Sequence, residues 1–232
     1  IAAAQLGAKC FYSCKVASDE TGDFYFKDLS AKGVKNNLQG ERKAGDTGTC
    51  IVLTTPDADR SMNTFLGITA TYSKEQVVVD ELKKAEYLYI EGYLVTSPNG
   101  IEAAKYAKAE AEKAGVKTAL TLSDPGIVSF FKSGFTEMIG DGVDLLFCNE
   151  AEAMSYTEKE DLDSALSELA KVAKTVTVTR GPKGAVIFSD GNKTVIETEK
   201  VDAIDSNGAG DLFLAPFLFK NNLCCHRWQF FI

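Results

Sequence analysis

From residue 87 onward, short apolar runs alternate with helical stretches, and this alternation constrains the fold more than any other feature of the chain. Residues 87–90 read as a strand. Ser97 and Pro98 can open a helix, with serine as N-cap and proline in the first turn, and Gly115 closes it. Residues 117–122 and 144–148 read as the next two strands, and Leu162, Ala165, Leu166, Leu169 and Val172 then fall on one helical face. Residues 175–179, 185–188 and 200–204 complete the set of strands. Strands alternating with helices predict an α/β fold, with a mainly parallel central sheet covered by helices on both faces.

The first third of the chain is less regular. Residues 10–16 read as a strand and 22–31 as a helix with Phe24 and Leu29 on one side. A polar stretch, 33–48, reads as a loop. Residues 49–55 and 61–66 then read as two strands around the turn Pro56-Asp57-Ala58-Asp59, a hairpin unlike the units that follow.

In open α/β sheets, ligands bind beyond the carboxyl ends of the strands. Asn149, Thr179 and Asp205 each follow a predicted strand, so all three are expected on one rim. Asp205-Ser206-Asn207-Gly208-Ala209-Gly210-Asp211 then leads into an apolar helical run. Such a turn can aim several backbone N–H groups at one point, and a helix N-terminus adds partial positive charge there. Asp211 beside it could accept a proton from a hydroxyl. An anion cradle with a proton acceptor is the minimum equipment for phosphoryl transfer to an alcohol. The plainer alternative is a tight turn that only packs closely.

Asn149 and Glu152 share a face if a helix starts there, and Glu152 could hold waters around magnesium. The alternative is a helix start whose acids complement the dipole. The segment from Thr177 to Gly184 reads as a hairpin turn, in which Thr179 and the Gly181 backbone could also line a nucleotide groove. Arg60 could pair with a phosphate or be an exposed strand charge. Neither glycine turn ends in Gly-Lys-Ser/Thr, so neither is a Walker loop.

Length and charge narrow the partners. At 232 residues the chain suits one large α/β domain, or a core with a smaller appendage. A net charge of -8 argues against a nucleic-acid partner, and no apolar run is long enough to cross a bilayer. Six cysteines with a single histidine, His226, match no zinc pattern and read as buried thiols of a reducing, cytoplasmic protein.

In combination these segments resemble the ribokinase-like (PfkB) family of carbohydrate and nucleoside kinases. Asp205 to Asp211 resembles the family signature, with Ser206 where threonine is usual, and Asn149 with Glu152 matches its N-x-x-E motif. Thr179, Gly181 and Gly184 match its nucleotide-side turn. Leu6-Gly7-Ala8, Asp19 to Asp23 and Gly33-Val34 match its N-terminal pattern. Asp59 to Thr64 and Glu91-Gly92-Tyr93-Leu94 resemble the adenosine-kinase-like branch. The resemblance implies that Asp211 is the general base and that Gly208, Ala209 and Gly210 form the anion hole. It implies that Asn149, Glu152, Thr179, Gly181, Gly184 and Asp205 serve ATP, with Mg2+ held by Glu152 through water, and that Arg60 closes over the phosphates. The resemblance also implies a small sugar or nucleoside as substrate and a homodimer of the intact protein paired through lid strands as an option.

The chain departs from that pattern at both ends. The family's opening strand, its lid strands and its G-G-x-x-x-N segment would precede Ile1, and the likeness stops after about Lys220. Pro216 stands where a small residue is usual, within a helix it would strain. Residues 1–220 are therefore expected to form an incomplete kinase domain with partial lid strands within about 45–68, and 221–232 an atypical tail that continues no periodic pattern. The rival readings are a non-catalytic remnant that binds a nucleotide or a partner, and a structural α/β domain with coincidental turns.

Overall fold

Among the described residues, nine strands form one sheet and two more pair separately as a hairpin. The computed structural model describes residues 1–56, 60–199, 201–220 and 228–232. The chain runs α1 (Ala2–Gln5), β1 (Lys9–Tyr12), α2 (Glu20–Ala31), β2 (Lys35–Asn36), β3 (Thr49–Thr54), β4 (Arg60–Phe65), α3 (Val79–Leu82), β5 (Ala85–Ile90) and α4 (Pro98–Lys113). It continues through β6 (Lys117–Thr121), α5 (Pro125–Ile139), β7 (Val143–Asn149), α6 (Glu150–Thr157), α7 (Leu162–Leu169), β8 (Ala173–Thr179), β9 (Ala185–Ser189), β10 (Asn192–Ile196), α8 (Ala209–Lys220) and β11 (Trp228–Phe231).

The large sheet runs in the order β10-β9-β8-β7-β6-β5-β11-β1-β2; every pairing from β8 across to β2 is parallel, and the two antiparallel pairings, β8–β9 and β9–β10, lie at one edge. The period of two along each strand divides the core. Leu88, Ile90, Leu120 and Leu146 face the cluster that holds α4 to α7, whereas Tyr87, Tyr89, Ala119, Leu145 and Phe147 face α8. The helices start where their caps dictate. Ser97 Oγ accepts from Gly100 N at 3.0 Å with Pro98 in the first turn, and Ala103, Ala104, Ala107 and Ala111 are small enough to seat α4 against the sheet. Asp124 opens α5 in the same way, accepting from Gly126 N and Ile127 N, again with a following proline.

Three sequence expectations are corrected. The strand predicted over 10–16 stops at Tyr12. No strand spans 201–204. That stretch is irregular and pairs with no described strand, and with Val201 and Ile204 80% and 88% exposed its apolar residues lack the burial that holds a strand; Lys200 lies outside the described residues. The residues read as an unpatterned tail contain β11, which sits mid-sheet between β1 and β5. Pro216 lies inside α8, where the sequence placed it. The carbonyl four residues back is that of Leu212, which is exposed, so water can satisfy it.

Residues 49–65 do form the expected hairpin. Thr49 pairs with Phe65 and Thr54 with Arg60 in an antiparallel sheet of two strands. It projects from the main sheet with Ile51, Leu53 and Phe65 exposed, and fits the place of a partial lid.

Candidate active site

Two neighbouring strands end together. Asn149 and Thr179, the last residues of β7 and β8, are direct partners in the parallel ladder. Asn149 then caps α6 reciprocally with Glu152. Its Oδ1 accepts from Glu152 N at 2.8 Å, while Glu152 Oε2 accepts from Asn149 N at 2.9 Å and Oε1 from Asn149 Nδ2 at 2.7 Å. Glu152 is 5% exposed. Burial pushes its carboxyl up to about 7, with Asp124 and Glu91 adding to the effect.

The turn after β8 is clamped from both sides. Arg180 N donates to Gly184 O at 2.8 Å, and the Arg180 guanidinium reaches Glu150 at 3.3 Å. Gly181 lines the cleft described below, whereas Gly184 does not. A side chain at Gly184 would sit 1.9 Å from Ile196 O, at a φ of +81°, so the glycine there serves the packing of the β9–β10 hairpin.

The third component is the start of α8. Asp205 is exposed, and its Oδ1 accepts from Asn207 N at 2.8 Å, which shapes the turn. It follows an irregular segment rather than a strand, and unlike Ser206 to Asp211 it does not line the cleft described below. Gly208 adopts φ +73° and starts the helix through Leu212 N donating to its carbonyl at 2.8 Å. The N–H groups of a first helical turn have no intrahelical acceptor; Ala209 N donates back to Ser206 O at 3.2 Å, which leaves those of Gly210 and Asp211 as the natural anion donors.

All three components line one cleft of about 630 Å³. Asn149, Glu152, Thr179, Gly181, Gly208 to Gly210 and Asp211 come together there from sequence positions far apart. Met62 of β4 reaches the same cleft; Arg60 opens that strand, and its side chain lies outside the description.

The cleft also holds polar groups that sequence reasoning passed over. Ser123 Oγ donates to Glu91 Oε1, and Tyr89 Oη donates to Glu91 Oε2 at 3.0 Å. Burial raises the Glu91 carboxyl above its ordinary range, opposed by those two hydrogen bonds and reinforced by the charge of Asp211. Thr177 Oγ1 is buried at the cleft wall and has no partner among the described residues. The available signal was positional. Tyr89 and Glu91 lie at the tip of β5 and Thr177 lies two residues before Thr179, so all three share the rim that Asn149 occupies.

Among the described residues no three His, Cys, Asp or Glu side chains cluster as a metal site. Magnesium does not require one, since it keeps several waters and is held by one or two carboxylates together with phosphate oxygens. Glu152 and Glu91 in the cleft fit that donor set.

A pfkB family carbohydrate kinase profile matches residues 1–220. The chain belongs to that family. Among its relatives is the adenosine kinase of Dictyostelium discoideum, 31% identical over 229 residues, an alignment covering 90% of this chain and 65% of that protein. The crystal structure of adenosine kinase from Sinorhizobium meliloti superposes with a TM-score of 0.90 at 34% identity, covering 95% of this chain and 68% of that one. The Anopheles gambiae adenosine kinase, solved in complex with P1,P4-di(adenosine-5) tetraphosphate, matches at TM-score 0.81 and 27% identity, covering 95% of this chain and 70% of that one. These similarities put the chain in the adenosine-kinase-like branch of the pfkB family. It spans about 65% of the length of the curated relatives it matches. Among the described residues, no helix is long and apolar enough to cross a membrane.

Proposed function

We propose that this pfkB-family chain carries the phosphoryl-transfer centre of an ATP-dependent kinase, which moves the γ-phosphate to a hydroxyl of a nucleoside or sugar. One observation carries the reading. The reciprocal cap of Asn149 and Glu152, the Thr179–Gly181 strand end and the Gly208–Asp211 helix start open into a single cleft. The Dictyostelium relative is an adenosine kinase, and the mosquito relative was solved with a ligand of two adenosines joined by four phosphates, which supports a nucleotide site.

In this reading Asp211 takes the proton of the acceptor hydroxyl as the new O–P bond forms and the bond to the ADP oxygen breaks. The Gly208-Ala209-Gly210 turn forms the anion hole for the migrating phosphoryl oxygens, with the first-turn N–H groups of Gly210 and Asp211 as its donors. Their value lies in being fixed before the reaction, so no reorganisation is needed as charge shifts. Thr179 and Gly181 hold the ATP side. Glu152 would hold Mg2+ through water, and the metal when bound would neutralise phosphate charge. Tyr89, Tyr93 and Phe213 give the cleft aromatic wall area suited to a base or a sugar face. Pairing of two copies through β3–β4 belongs to the same reading and rests on the exposed Ile51, Leu53 and Phe65.

The test is ADP release by the full chain with ATP and Mg2+ against a panel of nucleosides and sugars. Acceptor-dependent release supports the assignment. Saturable ATP binding without release from any acceptor would favour a nucleotide-binding remnant, and absence of both would reject the site.

A further inference from the structure

The sequence holds two Asn-Gly pairs, Asn99-Gly100 and Asn207-Gly208, and the fold treats them in opposite ways. Asparagine is a chemically labile side chain. Its partner in decay is the backbone nitrogen of the residue that follows. Where that nitrogen can approach the side-chain carbonyl carbon, a five-membered imide closes. Glycine favours the closure because it has no side chain to obstruct it and the widest choice of backbone angles.

Asn99-Gly100 is locked. Both residues lie in the first turn of α4, and Gly100 N donates to Ser97 Oγ at 3.0 Å. A Cβ at Gly100 would stand 2.2 Å from Leu94 O, so the backbone there has no room to turn.

Asn207-Gly208 is open. Asn207 is exposed and precedes the start of α8. Its own N–H is held by Asp205 Oδ1 at 2.8 Å. Among the described residues, neither its side-chain amide nor Gly208 N has a hydrogen-bond partner. Gly208 adopts φ +73°, and the nearest contact of a Cβ placed on it, chain neighbours apart, is Asp211 Oδ2 at 3.9 Å, so nothing crowds the amide. The open pair is also the one in the cleft, which Asn207 and Gly208 line together with Gly210 and Asp211.

We propose that Asn207 is a self-modification site, which deamidates through an imide with Gly208, with water as the only co-reactant, and so places a carboxylate in the anion cradle. Gly208 N loses its proton to solvent and attacks Asn207 Cγ. The N–Cγ bond forms, the Cγ–Nδ2 bond breaks, and the side-chain nitrogen takes up a proton and leaves as ammonia. Water then opens the ring at either carbonyl, which gives aspartate or its isoaspartyl isomer, and no group is oxidised or reduced. Aspartate adds a third carboxylate to a turn that already carries Asp205 and Asp211. The isoaspartyl link adds a methylene to the main chain directly before the helix start. Either product works against an anion held by first-turn N–H groups. That loss rests on the phosphate reading of the cleft, whereas the modification does not.

The experiment is peptide mapping by mass spectrometry of the full folded chain held at pH 8 and 37 °C, with conversion to aspartate and isoaspartate followed at both pairs. Asn207 should convert at least tenfold faster than Asn99. In guanidinium chloride the two rates should come within about threefold of each other, since only the fold separates two identical dipeptides. Equal rates in the folded chain, or a difference that persists in denaturant, overturns the proposal. For the consequence, Asn207→Asp in the full chain should weaken ATP affinity at least tenfold in calorimetry with Mg2+. Should that variant not fold, the aged parent, separated from unmodified chain by ion exchange, gives the same reading. Affinity within threefold of the parent overturns the loss. Absence of ATP binding by the parent would reject the phosphate reading and the loss with it, while the mapping still decides the modification.

Discussion

Replacing Glu152 by Gln tests the electrostatics of the cleft in isolation. Glu152 is buried, and burial holds its carboxyl at about 7 against an ordinary 4.5. The folded state therefore keeps a proton that the unfolded chain has lost between those values. The stability tied to that proton is fully present below pH 4.5 and is lost as pH rises through about 7. At ~1.4 kcal/mol per pH unit, the ionisation costs about 3 kcal/mol of stability above pH 7. Glutamine carries no such charge, and it is the other residue type suited to the third position of a capping box. Its amide cannot accept from Asn149 Nδ2 while also accepting from Asn149 N, so one bond is lost at ~1 kcal/mol. The variant should thus be less stable than the parent by ~1 kcal/mol at pH 4.5 and more stable by ~2 kcal/mol at pH 8.5. Urea unfolding of both proteins across that range, without nucleotide or metal, measures the difference directly. A difference that stays constant with pH would refute the reasoning, since a structural effect of the substitution has no cause to change sign near neutrality.

Gly208→Ala places a side chain at φ +73° and should cost ~1 kcal/mol in urea unfolding, with a larger proportional loss of ATP affinity in a binding titration because the helix start is displaced. Ser97→Ala removes the cap of α4 and should lower stability by ~1 kcal/mol at any pH from 5 to 8, leaving ATP affinity unchanged. Ile51→Lys should reduce any concentration-dependent self-association seen by sedimentation velocity without shifting the unfolding midpoint, because Ile51 is exposed on the two-stranded sheet.

The legible parts of the fold were those with redundant local signals. Ser97, Pro98 and Gly115 each mark an end of α4, and the apolar runs of β7 and β8 are bounded by residues that also act at the rim. Asp124 and Pro125 carry the same signals for α5, and the polar turn that precedes them obscured it. Residues 201–204 do not form the expected strand because a short apolar run reads the same whether or not it finds a partner, and this one stays exposed and unpaired in the described sheet. β11 was invisible for the opposite reason. Four residues are too few to show a period, and a strand buried on both faces has none to show. In the site, Asn149, Thr179 and Asp211 were legible because each ends a strand or starts a helix. Glu91 and Thr177 were not, because nothing local tells a buried hydroxyl or carboxyl that faces a cleft from one that is satisfied within the core.

The account rests on Asp211 acting as proton acceptor beside a cradle that binds phosphate without it. Asp211→Asn in the full chain, compared with its parent for ATP affinity by calorimetry and for acceptor-dependent ADP release, separates the two roles. The expected result is unchanged ATP affinity with release reduced by about a hundredfold or more. Release within a fewfold of the parent would contradict the account.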